Sequence, residues 1–428
     1  MKHRVALKAA ALAVGVLTVG ALAGCTTSGG EASDVVRVTL ANHVWTDLIK
    51  EKIPEFEEQT GLTVELTQLG EDQLSDQYNV KLNAGTDEID VMMYRPLQEG
   101  KLFAQNGYLA ELDDRIDAAS DWDWSDFQAG PAEATTYEDT VVGVPLVTES
   151  EVLYYRTDLL EQAGLEVPTT LAELENAAKL VSEANPGVAG FIARTGRSAA
   201  VTQFSSYLFS FGGDFSEQGT AAVNSPEAVE AYEYYGGMIH KYGPQNVSTD
   251  MNWAEASAIF AQGQAAFYTD ASSLYQNLAL PENSTVSDKL GYAPFPEGPA
   301  GSKPYSIPAW ALGLNSGSGN QDNGWKFIEW ATSFDTVLAT QEAGVPGART
   351  SVWDDPAGTS SFPAALAAAI QANAQNGVGY DRPLVVNVAE AREIVGDPIV
   401  VGITGGDVPA AAETAEQKFQ AFLDDENQ

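Results

Sequence analysis

Hydrophobic and polar positions change their period several times along residues 35–94, and these changes outline strands and helices. The β-branched run 35–40 predicts a strand buried on both faces, and the alternating segment 62–66 predicts a second strand. Between them, apolar residues recur every three or four positions, as in a helix. A similar helix around Tyr78 leads to a third apolar strand at 89–94. This order of elements predicts a parallel α/β sheet.

A second α/β pattern begins at residue 152. A strand is predicted at 152–155, and Thr170 with Glu173 form a capping box that opens a helix. Further elements are predicted as strands at 188–192 and 264–268, helices after Ser225, at 253–262 and at 410–428, and loops at 294–304 and 315–324. Two α/β units in one chain predict two lobes. Ligands of open α/β sheets bind beyond the carboxyl ends of the strands, so the cleft between the lobes is the expected site.

The N-terminus has the pattern of a secretory signal. Three bases precede an apolar run at 9–20 that is too short to be a permanent membrane span. The run ends in Leu22-Ala23-Gly24-Cys25, which resembles a bacterial lipobox, so we expect residues 1–24 to be removed and Cys25 to carry a lipid anchor. A buried cysteine after an ordinary signal is the alternative. Residues 25–34 are polar and predict a flexible tether.

Composition and motifs exclude several classes of function. The chain carries 60 acidic and 22 basic residues, and a net charge of -38 excludes sequence-independent nucleic-acid binding. One cysteine excludes an internal disulfide and multi-thiolate metal sites, and only His43 and His240 follow the signal, so we expect no metal site and no cofactor. The acidic run 121–126 lacks the glycine and glutamate of a calcium loop and predicts a solvated loop. No nucleophile or phosphate-binding motif occurs, so we expect no enzyme, although so many acids leave a glycoside hydrolase open.

Aromatic and planar polar residues follow the predicted strands. A sugar offers apolar C–H faces and hydroxyl groups, so its site needs flat aromatic rings beside groups that donate and accept hydrogen bonds. The candidate ligand-binding residues are Asn42, His43, Trp45, Tyr94, Arg95, Glu149, Tyr207, Asp214, Asp270, Ser272, Trp310 and Arg349. For each, a core or solvated-loop position is the alternative, and Trp45 could pack against Leu48 and Ile49 instead. Two bases balanced by three acids favour an uncharged ligand.

Several segments taken together resemble a known family. They are IPEFEEQTG at 53–61, AG at 84–85 before IDV at 89–91, LAELDD at 109–114, VGVPL at 142–146, LYYRTDLL at 153–160 with AG at 163–164, PTT at 168–170 and FAQGQAAF at 260–267. In this order and spacing they are similar to the extracellular solute-binding proteins of carbohydrate ABC importers, which include the maltose-binding protein. Arg156 stands where the family usually has asparagine.

The resemblance implies an α/β two-lobe periplasmic-binding-protein fold with a hinge and an inter-lobe cleft. It implies three crossings, near 146–150, 306–312 and 376–381, and hence a first lobe of 35–148 and 308–380 and a second lobe of 149–307 and 381–428. Trp45, Tyr94, Arg95 and Glu149 would face the ligand from or near the first lobe, and Tyr207, Asp214, Asp270 and Ser272 from the second.

The implied function is that of a substrate-binding lipoprotein on the extracytoplasmic face of the bacterial cell membrane. It would capture a small neutral carbohydrate or polyol and deliver it to the permease subunits of an ABC transporter. A secreted glycoside hydrolase and a surface adhesin that binds a macromolecule are the alternatives.

Overall fold

The computed structural model describes residues 33–426. The predicted signal, Cys25 and most of the predicted tether lie outside the described residues. The strands are β1 Val35–Ala41, β2 Thr63–Leu69, β3 Val91–Tyr94, β4 Thr136–Tyr137, β5 Thr140–Val141, β6 Val144–Arg156, β7 Ala189–Ile192, β8 Ser216–Glu217, β9 Thr220–Ala221, β10 Ala265–Ala271, β11 Leu290–Pro294 and β12 Ser306–Leu314.

The α-helices are α1 Val44–Thr60, α2 Glu71–Asn83, α3 Lys101–Gln105, α4 Asp113–Ala118, α5 Ala129–Glu133, α6 Thr157–Ala163, α7 Leu171–Ala184, α8 Arg197–Phe211, α9 Pro226–Tyr242, α10 Trp253–Ala261, α11 Tyr275–Ala279, α12 Gln321–Ala331, α13 Phe334–Glu342, α14 Thr350–Asp354, α15 Ala364–Asn376, α16 Val388–Val395, α17 Asp397–Ile403 and α18 Val408–Glu426. A π-helical turn spans Pro96–Gly100, and 3-10 turns span Ser120–Trp122, Trp124–Asp126, Ser272–Leu274 and Ser287–Lys289. In the part of the chain from 33 to 426, no helix is long and apolar enough to cross a bilayer.

The first lobe is built on the strand order β2-β1-β3-β12-β6. β1 runs parallel to β2 and β3, as the sequence predicts, whereas β12 returns antiparallel to β3. The apolar stripe of α1 places Trp45, Ile49 and Phe56 in the core of this lobe. Gly61 ends α1 in the left-handed conformation at φ 73°, which glycine adopts without steric cost.

The second lobe is built on β11, the second half of β6, β10 and β7. β6 is antiparallel to β10 and β11, and β10 is parallel to β7. The predicted capping box at Thr170 and Glu173 opens α7, and Ser225 caps α9 with Pro226 at its first position. One face of the sheet is covered by α7, α8 and α9, and the other by α10 and α15.

Two long strands join the lobes. The first half of β6 pairs with β12 in the first-lobe sheet, and its second half belongs to the second-lobe sheet. A third connection lies beside them, because Ser306 N donates to Val378 O at 2.8 Å and Val378 N donates to Pro304 O at 2.9 Å. Three adjacent backbone segments therefore form the base of the cleft.

The structure differs from the sequence expectations in two segments. Residues 321–324 begin α12 instead of ending a loop, because Trp325, Phe327 and Ile328 bury one face of that helix. Within 308–380, which the resemblance assigns to the first lobe, Leu366 and Ile370 of α15 pack in one core with Tyr154 and Tyr268 of the second lobe. The loop-like composition of 315–324 did not reveal that a helix begins there. The lobe assignment did not reveal which sheet α15 covers.

Candidate functional site

A cavity of about 200 Å³ lies between the two lobes, against the crossing strands. Residues from four separate segments surround it: Arg95, Leu97, Gln98, Glu149, Ile307, Pro308, Ala309, Trp310 and Arg382. Three of the sequence candidates, Arg95, Glu149 and Trp310, therefore lie together in one cleft. His43 joins them, because its ring lies 6.3 Å from that of Trp310.

A β-bulge sets the position of Trp310. The register between β12 and β6 shifts at Pro308 and again at Trp310, which pairs with Val147. Proline has no backbone N–H to contribute to a ladder, so an irregular position suits it. The bulge re-aims the following side chain, and Trp310 lines the cleft while remaining only 5% exposed.

His43 is the N-cap of α1. Its Nδ1 accepts a hydrogen bond from Trp45 N at 3.0 Å, so the ring proton of the neutral form is on Nε2. Burial lowers the pKa of His43, although Asp47 acts in the opposite direction. A neutral ring held by the helix start can donate one hydrogen bond from Nε2.

Arg95 is clamped by its own helical turn. Its backbone N and Nε both donate to the Glu99 carboxylate at 3.0 Å, and its Nη2 donates to Ser75 Oγ at the same distance. The guanidinium lies 5.9 Å from the Trp310 ring centroid, within cation–π range. The positive charge of Arg95 is thus balanced before any ligand enters.

Glu149 and Arg382 face the cavity from the crossings. Glu149 accepts a hydrogen bond from Ser273 Oγ at 2.7 Å, and burial raises its pKa. Arg382 forms a bidentate pair with Asp381 at 2.5 and 2.6 Å, and its Nη1 reaches Gln98 Oε1 at 3.3 Å. The cavity therefore offers carboxylate, amide, imidazole and guanidinium groups beside one indole ring.

Other first-lobe candidates lie away from the cavity. Trp45 is 1% exposed and belongs to the core, which favours the alternative of core packing over a stacking platform. Asn42 is exposed outside the cavity lining. Tyr94 is buried against Phe103 and lines a different cavity, of about 300 Å³, with Tyr137 and Tyr380.

Arg349 is a structural residue. It is 2% exposed, donates from Nε to Thr332 O at 2.7 Å and pairs with Asp126 at 2.9 Å, while its guanidinium stacks on Phe127 at 4.3 Å. Arg349 does not line the 200 Å³ cavity, because the acidic run 121–126 folds back and pairs with it. Within residues 33–426, no group of three His, Cys, Asp or Glu side chains is placed to hold a metal ion.

The second-lobe candidates are also used internally. Asp270 is fully buried and accepts from Arg194, Gln203 Nε2, Tyr268 OH and Ala271 N. Tyr207 OH is bonded to Thr269 Oγ1, Ser272 Oγ accepts from Ser150 N, and Asp214 accepts from Tyr380 OH. None of these four lines the 200 Å³ cavity. Tyr207 lies on α8 and Asp214 follows it, as expected, and Asp270 and Ser272 lie at the end of β10. All four already have hydrogen-bond partners within the protein.

Sequence reasoning missed Gln98, Arg382 and the segment 307–309. A signal for two of them was available, because Gln98 lies in the same turn as Arg95, and Arg382 directly follows the third predicted crossing.

Arg156 stands where the family usually has asparagine. It pairs with Asp158 and donates to Gly263 O, so it holds the end of β6 outside the cleft.

A two-lobed α/β chain with a polar cavity at the base of its cleft belongs to the class of cleft-closing binding proteins. The model of the bacterial extracellular solute-binding protein family matches residues 42–335, and the chain belongs to this family. The family consists of binding proteins, not enzymes, so the glycoside hydrolase alternative is set aside. Membership also places the chain outside the cytoplasm.

Individual relatives share little sequence identity with this chain, but the similarity extends over most of its length. The chain is 28% identical over 296 residues to a probable ABC transporter-binding protein of Deinococcus radiodurans, covering 67% of this chain and 69% of that one. It is 25% identical over 374 residues to the erythritol/L-threitol-binding protein of Mycolicibacterium smegmatis, covering 79% and 77%.

Solved structures have the same fold. Maltose-bound MalE3 of T. maritima has a TM-score of 0.73 at 28% identity, covering 90% of this chain and all of that one. A solute-binding protein of Agrobacterium radiobacter in complex with ribitol has a TM-score of 0.74 at 24% identity, covering 91% and 98%. The two-lobe fold predicted from the sequence is confirmed.

Proposed function

We propose that this protein is the substrate-binding component of an ABC importer and captures a small neutral sugar or polyol in the inter-lobe cavity. The observation that carries this proposal is the pairing of the arginines. Arg95 pairs with Glu99 and Arg382 with Asp381, so both guanidinium groups at the cavity are already neutralised. Hydroxyl groups can both donate to Glu149 and accept from the guanidinium edges, whereas a carboxylate or phosphate would find no uncompensated base.

The size of the cavity favours a small ligand. About 200 Å³ is below the roughly 300–1,000 Å³ that encloses a drug-sized molecule. A monosaccharide or a linear polyol suits this space better than an oligosaccharide. The relatives agree in part, since one binds erythritol or L-threitol and one solved structure holds ribitol.

Calorimetric titration tests the proposal with erythritol, ribitol, mannitol, glucose and maltose as ligands and glucose-6-phosphate as an anion. We expect a four- to six-carbon neutral compound to bind, and we expect Glu149→Gln to weaken that binding about tenfold, since a hydrogen bond to a charged acceptor is lost. Glu166→Gln, an exposed second-lobe change, should bind normally. Binding of the phosphate alone would reject the proposal.

Salt provides a second test of ligand charge. An uncharged ligand feels little screening, so its dissociation constant should stay within about twofold between low salt and 0.5 M NaCl, where the Debye length is only a few Å. A tenfold weakening would indicate an anionic or cationic ligand instead.

We further propose that the protein is held at the cell membrane by a lipid on Cys25 and passes its ligand to permease subunits there. The supporting observation is the Leu22-Ala23-Gly24-Cys25 sequence after a short apolar run. Cys25→Ser expressed in a lipoprotein-processing host should move the protein from the membrane fraction to the medium. If the variant stays with the membrane, the anchor proposal fails while the sugar-binding proposal stands.

A further inference from the structure

Three buried side chains in the second lobe carry oxygens without a hydrogen-bond partner. Both carboxylate oxygens of Glu151, Oε1 of Gln203 and the hydroxyl of Tyr305 lack a partner among the described residues. All three residues are fully buried. Buried polar atoms are rarely left unsatisfied, because each such atom has lost its hydrogen bonds to water without replacement. Several such oxygens in one region indicate that something binds them.

Strand register brings these oxygens to one face of the sheet. Ser150 is paired with Ser306, and Glu151 N donates to Tyr305 O, so Glu151 and Tyr305 stand opposite each other with their side chains on the same face. Helix α8 covers that face, because Tyr305 N donates to Ser206 Oγ at 3.0 Å. Gln203 lies one turn earlier on the same helix.

The neighbouring basic and amide donors are already in use. Arg194 forms its ion pair with Asp270 at 2.7 Å, and the amide nitrogen of Gln203 donates to the same carboxylate at 2.6 Å. That bond fixes the Gln203 amide with its oxygen turned away from Asp270. No basic side chain is left to pair with Glu151, and burial raises its pKa well above the usual range. The buried carboxyl group therefore either holds a proton or requires a cation beside it.

The groups around Glu151 offer no positive charge to pair with its carboxylate. Asp270 on β10 and Glu149 on β6 are further acids, Arg194 is committed to Asp270, and the other titratable groups facing Glu151 are the phenols of Tyr207, Tyr235 and Tyr305. An ionised carboxylate does not stay buried without a counter-charge, so either a proton or a cation must neutralise Glu151. The unpartnered groups are carboxylate, amide and hydroxyl oxygens, and oxygen ligands are those that hard cations prefer.

We propose that Glu151, Gln203 and Tyr305 bind a monovalent alkali cation, sodium or potassium, beside the second-lobe end of the crossing strands. One carboxylate with neutral oxygens matches a single positive charge and suits a divalent ion poorly, because calcium sites draw on several carboxylates. Glu149 of the cleft lies two residues earlier on β6, so the cation would stiffen the strand that carries a cavity residue.

Thermal unfolding of the full chain tests this proposal. At fixed pH and equal ionic strength, the Tm in NaCl or KCl should exceed the Tm in tetramethylammonium chloride by roughly 2 °C or more, and the excess should saturate with concentration. Tetramethylammonium screens surface charge equally but is too large for the site. Glu58→Gln, which removes an exposed first-lobe charge, should keep the difference.

Variants at the site distinguish a cation from a proton. Glu151→Gln should lose the difference between salts, because the variant lacks the carboxylate that would bind the cation. Tyr305→Phe, which keeps the ring, should raise the half-saturating salt concentration several-fold. This variant provides the test of the site if Glu151→Gln does not fold. The proposal is overturned if the Tm is equal in all three salts or if the difference between salts persists in Glu151→Gln. A Tm that depends on pH but not on the salt would also overturn it and would assign the site to a proton.

Discussion

Trp45 shows how strongly the position of one residue decides its role. It lies two residues after the histidine that caps α1, and both side chains leave the backbone at the ligand end of β1. His43 turns towards the cleft and Trp310, whereas Trp45 is the first residue of the apolar stripe and turns into the core. Each helical position turns the chain by about 100°, so two residues that are two positions apart point to nearly opposite sides.

Trp45→Ala should therefore destabilise the protein without changing its ligand affinity. Removing a buried tryptophan costs about 3–5 kcal/mol through lost contacts and the cavity left behind. Urea unfolding followed by circular dichroism measures the loss, and calorimetry at low temperature measures affinity for the ligand. Trp45→Phe should recover most of the stability. A variant that is stable but binds weakly would restore the platform interpretation.

Asp381 is the residue at which pH and stability are linked. Burial opposes its ionisation, but the guanidinium groups of Arg382 and Arg392 and the Thr202 hydroxyl lower its pKa from 3.8 to about 2. A carboxyl group with a lowered pKa stabilises the fold above its unfolded pKa, and this stabilisation is lost as pH falls from 3.8 through 2.

Asp381→Asn should lower the free energy of unfolding by roughly 2 kcal/mol at pH 7, and the difference from wild type should disappear near pH 2. Denaturant titrations at pH 7, 4, 3 and 2 measure this. Glu166→Gln, at an exposed site, should follow the wild type throughout. A deficit that is the same at every pH would show that Asp381 acts through packing and not through its charge.

At the scale of elements, helices α9 and α17 approach so closely that one glycine is required. A Cβ on Gly236 would lie 2.6 Å from the Cα of Gly402 and 2.9 Å from the backbone N of Ile403. A Cβ on the next residue, Gly237, would meet only the flexible end of Lys241 at 3.8 Å. Two adjacent glycines in one helix thus differ in their surroundings alone.

Gly236→Ala should destabilise the protein by about 1–3 kcal/mol, because the two helices must separate. Gly237→Ala should stabilise it by about 0.5–1 kcal/mol, since alanine loses less entropy in a helix. Guanidinium unfolding of both variants measures the contrast. Equal effects would mean that α9 and α17 do not pack this closely in solution.

At the scale of the whole molecule, two side chains bridge the cleft. Arg382 reaches Gln98 Oε1 at 3.3 Å, and Lys101 Nζ donates to Leu384 O at 3.1 Å. Both bonds run from the turn after β3 to the segment that follows the third crossing. Lobes joined only by narrow crossings can rotate as rigid bodies, so such contacts form or break as the cleft closes or opens.

A saturating neutral ligand should therefore reduce the radius of gyration in small-angle scattering. The ligand contacts groups from both sides of the cleft and favours the closed form in proportion to its differential affinity. A polyol that causes no thermal shift is the matched control and should leave the scattering unchanged. Identical curves with and without a confirmed ligand would argue against hinge closure.

The amino-acid sequence by itself determined the local elements, the two α/β units and the family. The helix of Thr170 and Glu173, the cap at Ser225 and the stripe of α1 depend on residues within about one turn, so periodicity and capping chemistry predict them. The strand-end rule found Arg95, which directly follows β3, because a strand end is a local feature. Glu149 and Trp310 lie inside β6 and β12, within the first two crossings that the family resemblance implies.

Only the tertiary structure decided which polar groups remain available for a ligand. Asp270 and Arg349 carry suitable chemistry, but Arg194 and Asp126, far away in sequence, already neutralise them. Arg382 and Gln98 meet across 284 positions because the third crossing lies beside the first two. Pairing between distant residues depends on how the lobes and crossings pack. The pattern of neighbouring residues along the chain therefore does not predict such pairs.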